Sequence, residues 1–188
     1  MQQASIVSDI EKRLEAPAAT IIKTAEELLR VLISLNDNMT DRTGGYLSIT
    51  AKVADELLLC SRIGAIPHQD DANPKFKTKA RKYCMFAQEK CMRTIANAFT
   101  NGHLSSWQSR NQDADMWGGA VMCDEFAVGF SGLPELADEA FSLALSVHFG
   151  WMDIGRADAI AGHSKNPFFK PLLVAWREAG HAVPIPIK

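Results

Sequence analysis

Between Pro74 and Gly102 the chain holds no other glycine or proline, and this uninterrupted stretch dominates what it can fold into. Asn73-Pro74 is a strong helix start: a capping residue, then proline where its missing N–H has no intrahelical acceptor to lose. The spacing predicts a helix to about Phe99, closed by Asn101-Gly102. Phe76, Ala80, Tyr83, Ala87 and Cys91 or Met92 form its inner face. A soluble helix of this length must lie against another layer, and paired short apolar runs stand on both sides of it.

The first pair precedes the helix. Residues 46–54 alternate, with Leu47, Ile49, Ala51 and Val53 on one side and Ser48, Thr50 and Lys52 on the other, the pattern of a half-buried strand. Asp55-Glu56 breaks the run before Leu57-Leu58-Leu59-Cys60, so the two read as a β-hairpin, followed by a loop over 63–73. The second pair spans 119–123 and 126–130 across Asp124-Glu125. Short connections imply antiparallel strands, because a parallel pair needs a long crossover.

Helices fill the remainder. Ile6, Ile10 and Leu14 mark a first amphipathic piece, interrupted at Glu15-Ala16-Pro17. Thr20 is expected to cap a second, reaching about Leu35, with Ile21, Ile22, Ala25, Leu28, Leu29 and Leu32 as its stripe. Pro134 opens a helix whose Glu135, Asp138 and Glu139 suit the positive end of the helix dipole, with Leu136, Ala140, Leu143, Ala144 and Val147 turned inward. Gly150 ends it. Two further helices are expected over 151–161 and 168–179, and the Pro-Ile-Pro-Ile tail reads as an extended arm. The prediction is an α+β fold of one domain over 1–188, an antiparallel sheet flanked by helices.

The later hairpin and its helix, with the first hairpin, resemble the GlcG/HbpS-like family. The resemblance rests on Leu57-Leu58-Leu59-Cys60-Ser61-Arg62, Ile63-Gly64-Ala65 and Lys79-Ala80-Arg81. It continues in Gly118-Gly119-Ala120-Val121, Val128-Gly129, Ser131-Gly132 and Asp138-Glu139-Ala140. It covers roughly 45–149, leaving 1–44 as N-terminal helices and 150–188 as a C-terminal helical extension with its arm. It implies a profilin-like central sheet, self-association into a homo-oligomer, and a small-molecule or cofactor ligand, haem or a corrinoid, in an accessory or sensor protein.

Composition narrows the classes. Apolar residues at 47% can build a core without a metal or disulfide staple, and a net charge of −2 gives no global case for nucleic acid or an anionic membrane. Lys75, Lys77, Lys79, Arg81 and Lys82 fan around the long helix and read as a solvated face; Lys79 or Arg81 turned inward toward a carboxylate is the sharper alternative. Cys60, Cys84, Cys91 and Cys123 form no CxxC pair, which argues against structural zinc and for buried free thiols. No run is long and apolar enough to span a bilayer, and the expected location is the cytoplasm.

Five residues are the candidate cofactor-binding set: His68, Gly118, Gly119, Ser131 and Gly132. Gly118-Gly119 can bring backbone N–H groups against a ligand, or simply open a strand with no Cβ in the way. Ser131-Gly132 before Pro134 can present a hydroxyl and helix N–H groups to an anion, or serve as an ordinary strand-to-helix turn. His68 beside Asp70 and Asp71 can ligate haem iron or act in an acid–base pair, or lie in a solvated loop. His103, His148, His163 and His181 carry no metal-binding spacing. Trp107 and Trp117 bracket a polar segment and can wall a pocket or anchor a core. A binding protein is therefore expected ahead of two alternatives, a structural oligomer module and an enzyme using a His/Asp pair.

Overall fold

The computed structural model describes residues 10–39, 41–53, 56–66 and 74–182, the side chains of 38 and 74–80 excepted. Residues 10–14 are helical, and the helices α1 (Ala18–Ser34), α2 (Pro74–Asn101), α3 (Glu135–His148), α4 (Ile154–Ser164) and α5 (Phe169–Glu178) accompany, among the described residues, four strands, β1 (Gly44–Ala51), β2 (Leu57–Gly64), β3 (Ala120–Met122) and β4 (Phe126–Ser131). The strands form one antiparallel sheet in the order β2-β1-β4-β3. The fold is α+β, as the alternation and the hairpin spacing require.

The two hairpins meet through their long inner strands, β1 and β4, which pair from Tyr46↔Ser131 to Ala51↔Phe126. Period-2 geometry then sorts the side chains. Leu47, Ile49, Ala51, Val121, Phe126, Val128 and Phe130 join a core continuous with α1, α3, α4 and α5. Ala120, Met122 and Ala127 turn the other way, to Cys91 and Ile95 of α2. The sheet is thus covered on both faces. This corrects the half-buried reading of the first strand: Ser48 and Thr50, placed on its open side, are 0% and 2% exposed. The alternation was real, but a helix lies over the polar face.

That helix comes close because the sheet offers it only small groups. A Cβ built on Gly129 would stand 2.7 Å from Cys91 Sγ and 3.1 Å from the Ala87 carbonyl oxygen. The backbone carbonyl cannot yield, so glycine is dictated by approach of the helix rather than by a turn. Of the inner face expected for α2, Ala87 and Cys91 are buried and Tyr83 is half-buried. Met92 is the correction: it is exposed, with Met85 and Phe99 on the same outer stripe, so the alternative Cys91 is the inward residue.

Boundaries shift where tertiary contacts decide them. The N-cap of α1 is Pro17, not Thr20, whose amide already donates to the Pro17 carbonyl. Strand β2 continues to Gly64, opposite Gly44, because β1 is available as a partner; the loop expected from 63 starts later. The helix expected over 151–161 begins at Ile154, where Asp153 accepts the Arg156 amide at 2.9 Å. Trp151 instead packs inward, donating to the Leu14 carbonyl and stacking on Phe149. The third helix is the largest revision. Asp138 and Glu139 do stand near the N-terminus of the helix, where its dipole favours them, yet both are buried in α3, which is enclosed around most of its circumference.

Two alanine substitutions separate space from propensity. Gly129→Ala should cost about 1–3 kcal/mol in urea denaturation, because the helix backbone must move. Gly162→Ala, in α4 with nothing within 4 Å of the added Cβ, should stabilise by up to about 1 kcal/mol. Equal effects would contradict the close approach of α2.

Candidate ligand-binding site

Two charges are buried where α2, the end of β4 and the start of α3 converge. The Lys90 ammonium donates to Asp138 Oδ2 at 2.8 Å and to the Phe130 carbonyl at 3.0 Å. Both side chains are 2% exposed. The other Asp138 oxygen accepts the Leu133 amide at 2.9 Å. Removing such charges from water costs several kcal/mol each, so they persist only with partners on every side. Burial pushes the Asp138 carboxyl up to about 6, with Lys90 and the Leu133 and Gly132 amides pulling it back.

The glycines find their roles here. Gly119 has φ +126°, and a Cβ on it would lie 2.6 Å from Asp138 Cβ and 2.9 Å from Lys90 Nζ. Glycine thus makes room for the ion pair. Gly118 donates its amide to Glu135 Oε2 at 2.8 Å, while Glu135 Oε1 accepts from Gln112. Arg93 holds the same segment from the other side through the carbonyls of Ser106, at 2.9 Å, and Trp117, at 2.6 Å. The polar stretch between the tryptophans is accordingly fixed as two 3₁₀ turns, Ser106–Ser109 and Gln112–Ala114.

Above the ion pair opens a cavity of about 470 Å³. Lys90 and Asp138 form its buried base, Tyr83, Phe86 and Trp117 are aromatic wall, and the Ser131-Gly132 turn closes one side. Arg42 and Lys82 lie toward solvent. Arg42 Nη1 donates to the Tyr83 hydroxyl at 3.2 Å and to the Gly132 carbonyl at 3.4 Å.

Ser131 and Gly132 therefore line the cavity, Gly119 underlies its base and Gly118 anchors its rim segment. His68, with Asp70 and Asp71, lies outside the described residues. Trp117 belongs to the wall, whereas Trp107 stacks with Arg110, 3.5 Å from the ring centroid. Arg81, offered as an inward cation, is exposed; Lys90, further along the same helix, is the inward one. His148 and His181 gather around Trp176, away from the cavity.

Sequence reasoning missed Arg42, Lys90, Arg93 and the second task of Glu135. One signal was present: Lys90 directly precedes the inward Cys91 and lies three residues after Ala87, a charge at the edge of an apolar stripe. Glu139 is a second buried acid, outside this lining. Its Oε1 accepts from Ser164 and from Asn166, and burial pushes its carboxyl up. Among the described residues no cluster of three or more His, Cys, Asp or Glu suits a metal ion, and no helix is long and apolar enough to cross a membrane.

Comparison with known proteins gives no match to a family model, a curated protein or a solved structure. The GlcG/HbpS-like resemblance therefore rests on its quoted residues alone.

Breaking the ion pair on one side should be far worse than removing it. Lys90→Met should cost about 3–5 kcal/mol, while Lys90→Met with Asp138→Leu should fall well short of the summed single losses; additive losses in urea denaturation would contradict coupling. Folded Asp138 takes up a proton at a pH where the unfolded carboxylate, near 3.8, stays ionised. Its contribution to stability is thus largest below about 4 and falls as pH rises toward about 6. Across that interval the stability of wild type should decline relative to Asp138→Asn. Parallel curves would show that the carboxyl is not perturbed.

Proposed function

We propose that this protein binds a small organic anion with a flat apolar body, seated between α2 and the β4–α3 turn. The division of the cavity lining carries this reading. The volume of about 470 Å³ falls among ordinary small-molecule sites. Tyr83, Phe86 and Trp117 supply aromatic surface for an apolar body. Of the three acids in the lining, Glu135 and Asp138 engage their oxygens within the protein, while Asp115 is exposed. Arg42 and Lys82 lie at the solvent side, where a ligand carboxylate enters charge-assisted hydrogen bonds. The Ser131 hydroxyl adds a neutral polar contact.

Haem, implied by the family resemblance, shares this chemistry through its propionates and macrocycle. Arg42, Lys82 and the aromatic wall fit its periphery. For the iron, the described lining offers Tyr83, a known haem ligand type, and no His, Met or Cys. A small aromatic carboxylate needs no axial atom and matches the lining more fully.

Titration with 1-naphthoate, followed by tryptophan fluorescence, should saturate in wild type and weaken about 10-fold or more in Arg42→Gln, the loss of one charged hydrogen-bonding partner. The amine analogue 1-naphthylmethylamine should not saturate. Equal binding of acid and amine, or an unaltered Arg42→Gln, would overturn the reading. Haemin forms the second arm: an absorbance change that disappears in Tyr83→Phe would place the tetrapyrrole in this cavity, and a change indifferent to Tyr83 would remove it from there.

A further inference from the structure

Cys60 and Cys84 lie far apart in sequence and meet across the sheet–helix interface. Cys60 pairs with Ser48 in the β1–β2 register, which turns its side chain to the face that α2 covers. Cys84 comes from the first half of α2. Their sulfurs are 3.5 Å apart, and both residues are only partly buried. The Gln88 amide, one turn along α2, donates toward both sulfurs, at 3.3 Å to Cys60 and 3.6 Å to Cys84. Neither cysteine lines the cavity.

This arrangement is too small for a metal centre, since a tetrahedral zinc site takes four ligands and no third His, Cys, Asp or Glu joins the pair among the described residues. It does suit a two-electron oxidation. The sulfurs need only modest side-chain rotation to reach bonding distance, about 2.05 Å. The remaining cysteines offer a contrast: Cys91 and Cys123 are buried, and burial pushes each thiol up to about 12. Such thiols are inert.

The geometry points to a dithiol oxidation site, in which Cys60 and Cys84 form an intramolecular disulfide on meeting a peroxide or a low-molecular-weight disulfide. With a peroxide, the Cys60 sulfur attacks one oxygen; the O–O bond breaks, an S–O bond forms, and the leaving hydroxide takes a proton to become water. The Cys84 sulfur then attacks the Cys60 sulfur. The S–S bond forms, the S–O bond breaks, and a second water leaves with the Cys84 proton. Two thiols lose two electrons and the peroxide gains them. With a low-molecular-weight disulfide, Cys60 first forms a mixed disulfide, and Cys84 displaces the small thiol. The Gln88 amide lies nearer Cys60, at 3.3 Å against 3.6 Å to Cys84, and burial with the neighbouring Cys60 pushes the Cys84 thiol up; Cys84 takes the second, resolving role. Gln88 supplies an N–H to charge developing on either sulfur. The product ties edge strand β2 to the helix that carries Tyr83, Phe86 and Lys90.

The full chain is treated with hydrogen peroxide and, separately, with oxidised glutathione, then denatured, alkylated and mapped by mass spectrometry. The expected product is a reducible Cys60–Cys84 peptide pair, lighter by two hydrogen atoms, with Cys91 and Cys123 still alkylated. Cys84→Ser should stop at a sulfenic acid or glutathione adduct on Cys60, and Cys91→Ala should leave the disulfide intact. Full alkylation of all four cysteines of wild type, a disulfide between two chains, or one that uses Cys91 or Cys123 would each overturn the proposal.

Discussion

The contact between Lys90 and Asp138 ties together the parts on which the cavity depends. It joins α2, which covers the second face of the sheet, to α3, the helix that follows β4. An unpaired charge in either position would be costly enough to reorganise the region. The pair is tolerable because the backbone supplies the remaining partners, the Phe130 carbonyl for the ammonium and the Leu133 amide for the carboxylate. Gly119 is a condition of the same contact, since any side chain there would occupy the space of both charged groups.

The cavity follows from that convergence. Along β1 and β4 the small groups at Ser48, Ala127 and Gly129 let α2 settle closely on the sheet. Beyond Gly129 the sheet ends in the Ser131-Gly132 turn, while α2 extends toward its N-terminus with the larger Tyr83 and Phe86. Close packing therefore gives way to open space. Arg93 and Glu135 clamp the intervening segment and bring Trp117 to the wall. A rigid wall loses little freedom when a ligand arrives, which favours binding.

Charge balance shapes the proposed specificity. Three cations and three acids line or underlie the space, so its sign does not come from a count. It comes from which groups are committed. The oxygens of Glu135 and Asp138 accept hydrogen bonds from backbone amides, Gln112 and Lys90, whereas Arg42 and Lys82 reach the solvent side, Arg42 while donating to Tyr83 and Gly132 and lying 3.6 Å from Asp41. Two of the three acids and Lys90 are thus taken up structurally, leaving Arg42, Lys82 and the exposed Asp115 on the solvent side, two cations against one acid. The dithiol joins Cys60 of β2 to Cys84 of α2 but lies outside this lining, so its oxidation is chemically separate from ligand recognition.

The elements themselves were legible in the sequence because their signals are local. Alternation over 46–51 marks a strand wherever it ends up, and Pro74 with Gly102 bounds a helix through backbone chemistry alone. Ser131-Gly132 and Gly118-Gly119 were legible as places where the chain avoids side chains. What a Cβ would strike there was not, because the neighbours come from distant parts of the chain, β1 for Gly132 and α2 and α3 for Gly118-Gly119. The sequence by itself determined the α+β class, the two hairpins and the order of helices. Tertiary structure alone decided that the polar face of β1 is covered, that Asp138 is an interior ion-pair partner, and that Lys90 and Arg42 flank a cavity. Hydrophobic period and turn chemistry act between near neighbours, whereas the burial of a charge depends on partners tens of residues away.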